Sequence, residues 1–445
     1  SAKSAAKGRG RLKLSAAGGK TPGRNAGTGA GDRTAGAPAT RAPGATGDES
    51  ERAHIMMGKT LEQISVRQMA HLIFISRTVL TVASLPHVTV GGAGRDGWVA
   101  AIFNTLLGIP LVWLFIKLAS RHPDKSIFEY ARDLLGPVAG RLITLPLLWG
   151  FLHFAAFTLR EYGEMLAGAV LPQTPIVFTM GSMIFVSAVA VRLGIESISR
   201  SADILVPLFV ATTLGVFVAL LPDADFRRLL PVLADGFGPP LRAMFAPFGF
   251  YFFLTTLFVI YPSVREKERA MTSAINSEIL AGTMITAATA IAIGVLGPGD
   301  LGRLQFPFLS LARLVEFAEF FERIETLTIA GWGAGLFLEL SITYYAGARG
   351  IAQWFGLRDH RRLVFPMGAI LLTLSLTLFV NSFQIADFQQ MKVIAPYGLA
   401  MLFPVPLVLL IASYAKGTRE GETSGENGER RRRGRRRRTA GGNGR

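Results

Sequence analysis

Apolar residues run along this chain in blocks of about twenty, separated by short polar joints. The blocks lie near 68–86, 97–118, 140–160, 174–193, 202–222, 241–262, 275–297, 325–347, 363–383 and 394–414. A block of that length, coiled as an α-helix, crosses a hydrocarbon core of about 30 Å. The pattern therefore predicts about ten transmembrane helices and an all-α integral membrane fold. An even number places both ends of the helical part on one side, and the basic residues name that side, because cytoplasmic loops collect Lys and Arg. Loops after the second, fourth, sixth and eighth blocks carry Arg121 and Lys125, Arg192 and Arg200, Arg265 with Lys267 and Arg269, and Arg358 with Arg361 and Arg362. The opposite loops are sparser for their length. Two of them, 222–242 and 298–324, are long enough to be expected as interfacial or capping helices; the second holds the amphipathic run FLSLARLVEFAEFFERI.

Composition agrees with this reading. Only 18% of the 445 residues are charged and mean hydropathy is +0.38, where soluble domains carry about a quarter charged residues. Residues 1–59 and 416–445 supply 14 of the net charge of +16. Three regions are expected: a disordered basic cytoplasmic tail over 1–59, a transmembrane domain over 60–415 and a disordered Arg-rich cytoplasmic tail over 416–445. The N-terminal tail lacks the apolar stretch of a secretory signal. The run RRRRGRRRR, Arg430 to Arg438, follows a membrane helix, a position that favours anionic lipid over nucleic acid.

Several chemistries have no support. The chain has no cysteine, hence no thiol nucleophile or cysteine zinc site, and its 6 histidines form no H-E-x-x-H pair. No metal, no cofactor and no catalytic residue is expected. The stretch GAGRDG, Gly92 to Gly97, spells the G-x-G-x-x-G of a dinucleotide loop. That loop must join a strand to a helix, and here it joins two membrane helices, so it reads as an external turn.

Polar groups inside lipid are costly and are functional candidates by default. In the first helix Arg77, Thr81 and Ser84 share one face, and Glu339 lies deep in the eighth; an Arg77–Glu339 ion pair is the expectation they suggest. Arg160, Glu161 and Glu164 cluster near the external end of the third helix, either solvated there or functional. The sixth helix, FAPFGFYFFLTTLFVIYPSV, is weakened by Pro247 and Gly249. Interrupted helices at matching places in two halves point to a transporter's substrate site, which helices one and six satisfy in a five-plus-five inverted repeat. Gly331 and Gly335, four apart in the eighth helix, suit close helix packing.

ISVRQ at 64–68, SLP at 84–86, GRDGW at 94–98, LREYGEMLAGAVLPQTP at 159–175, the segment Pro231–Gly236 and APFG at 246–249 together resemble the spore germination permease family, the B subunits of germinant receptors within the APC transporter superfamily. The resemblance runs from about residue 63 to 413 and leaves out both tails. It implies an APC-type five-plus-five inverted repeat with interrupted helices 1 and 6. It implies a mid-membrane pocket for a small germinant such as an amino acid, A and C subunits as partners, and the inner membrane of the bacterial spore as location. Family members commonly place glycines mid-way along the first helix, where this chain has Val79 and Thr81. Arg77 is therefore expected to meet the ligand's carboxylate in place of glycine-freed amides.

The sequence thus reads as a non-enzymatic receptor subunit with ligand-binding candidates Arg77, Thr81, Ser84, Phe248, Gly249, Tyr251 and Glu339. The rival readings are an ion-coupled amino acid transporter, in which Glu339 would be the coupling carboxylate, and a scaffold that holds the receptor together.

Overall fold

The computed structural model describes residues 62–169, 171–304, 307–314 and 323–416. The tails at 1–61 and 417–445, the side chain of Ser84, and most of the amphipathic run after Leu314 lie outside the described residues. Among the described residues the secondary structure is helical, with one isolated parallel bridge between Ile64 and Val264.

Ten long helical units follow one another: α1 (Val66–Ala93), α2 (Gly97–Arg121), α3 (Ala139–Ala169), α4 (Ile176–Leu193), α5 (Ile195–Leu220), α6 (Gly238–Ser263), α7 (Lys267–Leu301), α8 (Arg323–Phe355), α9 (Val364–Leu378) and α10 (Met391–Lys416). By length and apolarity, seven helical stretches among the described residues qualify as membrane spans, or eight if α9 is joined to the short helix after it. The first part of α1 and α8 fall outside that number; these are the segments that carry Arg77 and Glu339. The protein is an integral membrane protein.

Local chemistry sets the helix ends. Ser65 caps α1 in a reciprocal box with Gln68: the Ser65 hydroxyl accepts from Gln68 N at 3.2 Å and the Gln68 side chain accepts from Ser65 N at 3.0 Å. Gly94, at φ 56°, ends α1, and the turn it opens leads straight into α2. The Gly92–Gly97 stretch is thus a joint between membrane helices, as expected from its context. Gly194, at φ 98°, lets α5 start directly after α4.

The two expected interruptions have different outcomes. In α6, helical turns over Gly238–Ala243 give way at Met244–Pro247 to nine residues of 3₁₀ helix, Phe248–Thr256. Runs of 3₁₀ longer than three or four residues are uncommon. By contrast, α1 is one continuous helix of 28 residues. Its middle holds Val79 and Thr81 rather than glycine, and its one proline, Pro86, removes a single bond near the C-terminal end, which membrane helices tolerate.

The segment 222–242 is not an interfacial α-helix. It forms short 3₁₀ turns at Leu221–Asp223 and Phe226–Leu229 before α6 begins. Its backbone is held by the α1–α2 turn, through Arg95 to Leu230 O at 2.7 Å and Leu233 N to Asp96 Oδ1 at 3.0 Å. In the second long connection, Pro307–Leu314 is helical.

Within the bundle, α7 packs along α1 and α2, and α8 along α5, α3 and α1. The glycine pair in α8 serves this packing: a Cβ on Gly331 would overlap Thr212, and one on Gly335 would lie 2.8 Å from Val79 Cγ2. At the far end of the bundle, Ile64 N bonds to Ser263 O at 2.8 Å and Ile195 N to Glu62 Oε2 at 2.9 Å. These bonds bring the start of α1, the end of α6 and the α4–α5 joint together, as an even-numbered topology requires.

Candidate functional site

Arg77 lies on α1, fully enclosed, with its donors spread over three other helices. Its Nε donates to Glu278 Oε1 on α7 at 3.2 Å, Nη1 to Thr81 Oγ1 at 3.1 Å, and Nη2 to Tyr251 OH on α6 at 3.0 Å and to Asn104 Oδ1 on α2. The guanidinium carbon also sits 4.3 Å from the centroid of the Tyr251 ring, a cation–π arrangement. The Tyr251 hydroxyl, which accepts from Arg77, has one proton to give and faces Asn104 O at 2.7 Å and Glu278 Oε1 at 3.0 Å. Asn104 Nδ2 in turn donates to Met244 O at 2.8 Å. That carbonyl belongs to the break in α6, so an α2 side chain satisfies backbone that the broken helix leaves open.

The ion pair is buried from both sides, with both side chains at 0% exposure. Isolated charges at such a place would be prohibitive; paired and hydrogen-bonded, they are tolerated. Gly108 of α2 provides the room, because a Cβ there would overlap Glu278 Oε1 and the Tyr251 hydroxyl.

The expected Arg77–Glu339 pair does not form. On α1, Ile75 and Val79 face Gly335 of α8, which leaves Arg77 on the opposite side, toward α2, α6 and α7. Glu339 is fully buried midway along α8 with neither carboxyl oxygen hydrogen-bonded among the described residues. Arg160, Glu161 and Glu164 are not a solvated cluster. Arg160 Nη2 pairs with Glu164 at 2.6 Å and donates to Val380 O at 2.9 Å, while the buried Glu161 accepts from Gln389 Nε2 at 2.7 Å. Both contacts tie α3 to the bent segment after α9, where the chain turns by 92°.

Of the other candidates, Tyr251 and Thr81 join Arg77. Phe248 stacks on Phe403 of α10, centroids 5.8 Å apart and 7° from parallel. Gly249 faces Ile394 and Gly398 of α10, so its missing side chain serves a close crossing of α6 and α10 and does not open toward Arg77. Between α1, α3 and α8 a small cavity of about 10 Å³ is lined by Leu80, Ala83, Glu161, Met165, Trp332 and Leu336, room for about one water.

Sequence reasoning did not single out Asn104, Gly108, Glu278 or Gln389. The apolar block at 275–297 put Glu278 near a membrane surface. The helix in fact begins at Lys267, so Glu278 lies three turns inside it. A carboxylate in the run INSEILAGT, followed directly by apolar residues, was the available signal.

The chain is similar to known proteins in sequence and in fold. A family model described as spore germination protein matches residues 63–384. Spore germination protein KB of Bacillus subtilis (strain 168) is 29% identical over 374 residues, 82% of this chain and 98% of that protein. The putative spore germination protein YfkT of the same organism is 26% identical over 332 residues, 74% of this chain and 91% of that protein. Among solved structures, MhsT in complex with L-phenylalanine superposes with a TM-score of 0.57 at 15% identity, covering 77% of this chain and 97% of MhsT. Mhp1, a nucleobase-cation-symport-1 family transporter in a closed conformation with bromovinylhydantoin bound, gives 0.55 at 12% identity over 77% of this chain and 75% of its own. At these identities the likeness shows the fold, an APC-type five-plus-five inverted repeat of α1–α5 and α6–α10. In that repeat α1 corresponds to α6 and α2 to α7, so Arg77, Tyr251, Asn104 and Glu278 come from two corresponding pairs of helices.

Proposed function

The chain belongs to the spore germination protein family, and from that premise we propose that it is the membrane subunit of a spore germinant receptor. It binds a small nutrient, an amino acid by preference, in mid-membrane, and signals with A and C partner subunits in the spore inner membrane. The family match over residues 63–384 carries this reading. MhsT, of like fold, holds L-phenylalanine, which supports an amino acid as the ligand class.

The nutrient enters between α1, α3, α6 and α8, over the cavity at Leu80, Glu161 and Trp332. That cavity holds about one water, so the ligand requires a second packing of these helices. It shifts the balance by its differential affinity for the two packings and by nothing else. Arg77 acts within this change. In the closed packing its guanidinium is committed to Glu278, Thr81, Asn104 and Tyr251, and a ligand carboxylate reaches it only by displacing Glu278. Tyr251 and Phe248 move with the broken α6.

The test is ligand-induced stabilisation of the purified full-length chain in lipid nanodiscs across a panel of amino acids, sugars and nucleosides. One amino acid is expected to raise the unfolding temperature in a saturable way, and Arg77→Ala is expected to abolish the rise. Stabilisation by none of the panel, or an unaltered rise in Arg77→Ala, contradicts the reading.

A further inference from the structure

A second polar site lies across α1 from Arg77. Glu339 stands one turn beyond Leu336 on α8, at 0% exposure, and neither of its oxygens has a hydrogen-bond partner among the described residues. Glu161, 2% exposed, lies on α3, which packs along α8. Its Oε1 accepts from Gln389 at 2.7 Å, and Glu161 lines the small cavity between the two helices and α1 together with Leu336, one turn before Glu339.

We infer that Glu161 and Glu339 form a proton-binding site, in which the acidic pair holds at least one proton at neutral pH. Two facts select the proton. Two like charges this deeply buried cannot both persist without a counter-charge, and the charged groups around them supply none. On α3, Arg160 is engaged by Glu164 and Val380 O. Arg192 of α4 and Glu196, Arg200 and Asp203 of α5 stand at the cytoplasmic ends of their helices, as Arg349 does on α8. Arg77 is bound to Glu278 on the other face of α1. Second, a metal cation gathers several oxygen ligands. Apart from Glu161 the cavity lining is Leu80, Ala83, Met165, Leu336 and Trp332, and the Trp332 N–H is spent on Val79 O at 3.1 Å.

The inference shares Glu161 and its cavity with the nutrient reading, but it is tested on the protein without nutrient. Infrared difference spectroscopy of the full chain in lipid vesicles, without nutrient, tests it. At pH 7 exposed carboxyls, with ordinary pKa values of about 4, are ionised. A protonated-carboxyl band that shifts in D₂O is expected in the wild type, and it is expected to be lost or halved in Glu339→Gln and Glu161→Gln. Absence of the band in the wild type overturns the assignment, and that measurement needs no variant to fold. So does a band that persists unchanged in both folded variants. A band that vanishes on replacing choline chloride by NaCl makes the site a sodium site and equally overturns the assignment. Failure of nutrient binding leaves this spectrum unaffected, so the two readings fail separately.

Discussion

Four side chains on four helices share the donors of one guanidinium, and the energetic consequence is asymmetric. Removing one partner of a buried ion pair leaves the other charge unpaired in low dielectric, a cost of about 3–5 kcal/mol, while an apolar replacement of both is often nearly neutral. Arg77→Met and Glu278→Leu are each expected to destabilise the protein by that amount, and the double variant by much less. Unfolding of all four proteins in one double-mutant cycle measures the difference. Additive losses would show that Arg77 and Glu278 do not act as a pair. Gly108 belongs to the same cluster. Gly108→Ala must displace Glu278 and Tyr251, whereas Gly181→Ala on α4 meets nothing within 4 Å. The first is expected to lower the unfolding temperature by several degrees and the second to leave it in place, read from thermal melts. At this scale the sequence revealed half of the site. Arg77, Thr81 and Tyr251 were legible as polar groups in apolar runs. Glu278 was hidden because hydropathy locates the apolar stretch of a helix and not its first residue, and α7 extends about two turns before that stretch. Asn104 was hidden because a lone neutral amide carries no charge to mark it.

Among the elements, α6 and α1 show how proline and glycine act by position. Pro247 and Gly249 stand together in the middle of α6, and there the helix breaks and rewinds as 3₁₀. Pro86 stands alone near the end of α1, and there the helix continues. The break also lets α6 meet α10 at backbone distance: a Cβ on Gly249 would overlap Ile394, and one on Gly398 would overlap the Gly249 backbone. Gly398→Ala is therefore expected to force α10 away from α6 and to cost roughly 1–3 kcal/mol of overpacking strain. Site-directed spin labels on the two helices would show the separation widen; an unchanged distance distribution would remove this close crossing from the account. The break at Pro247 was legible because proline and glycine act locally. The Gly249–Gly398 contact was not, since it joins residues about 150 apart, and only the folded packing pairs them.

For the molecule as a whole, the spacing of apolar blocks made the ten long helices legible, because the bilayer imposes that length on any chain that crosses it. The bilayer says little about which helices touch, and the Arg77–Glu339 pairing failed at that level: Arg77 turns toward α2, α6 and α7, away from the α8 that carries Glu339. A strap at the end of the bundle where α1 starts adds a further constraint. Glu62 accepts from Ile195 N at 2.9 Å, Tyr345 OH at 3.2 Å and Arg361 Nη2 at 3.4 Å, linking the entry to α1 with α5, α8 and the α8–α9 turn. Glu62→Ala is expected to loosen that end and to raise amide hydrogen exchange in residues 62–66 and 194–198. Unchanged exchange would show that the strap contributes no closure.

The central claim is that this chain senses a nutrient for germination. The most direct measurement is germination of spores lacking its gene, followed as loss of refractility across a panel of amino acids and sugars, with uptake of each nutrient measured in vegetative cells. The account predicts that the response to one nutrient, an amino acid, disappears while uptake of that nutrient is intact. Normal germination with reduced uptake would contradict it and identify the protein as a transporter that shares only the family's architecture.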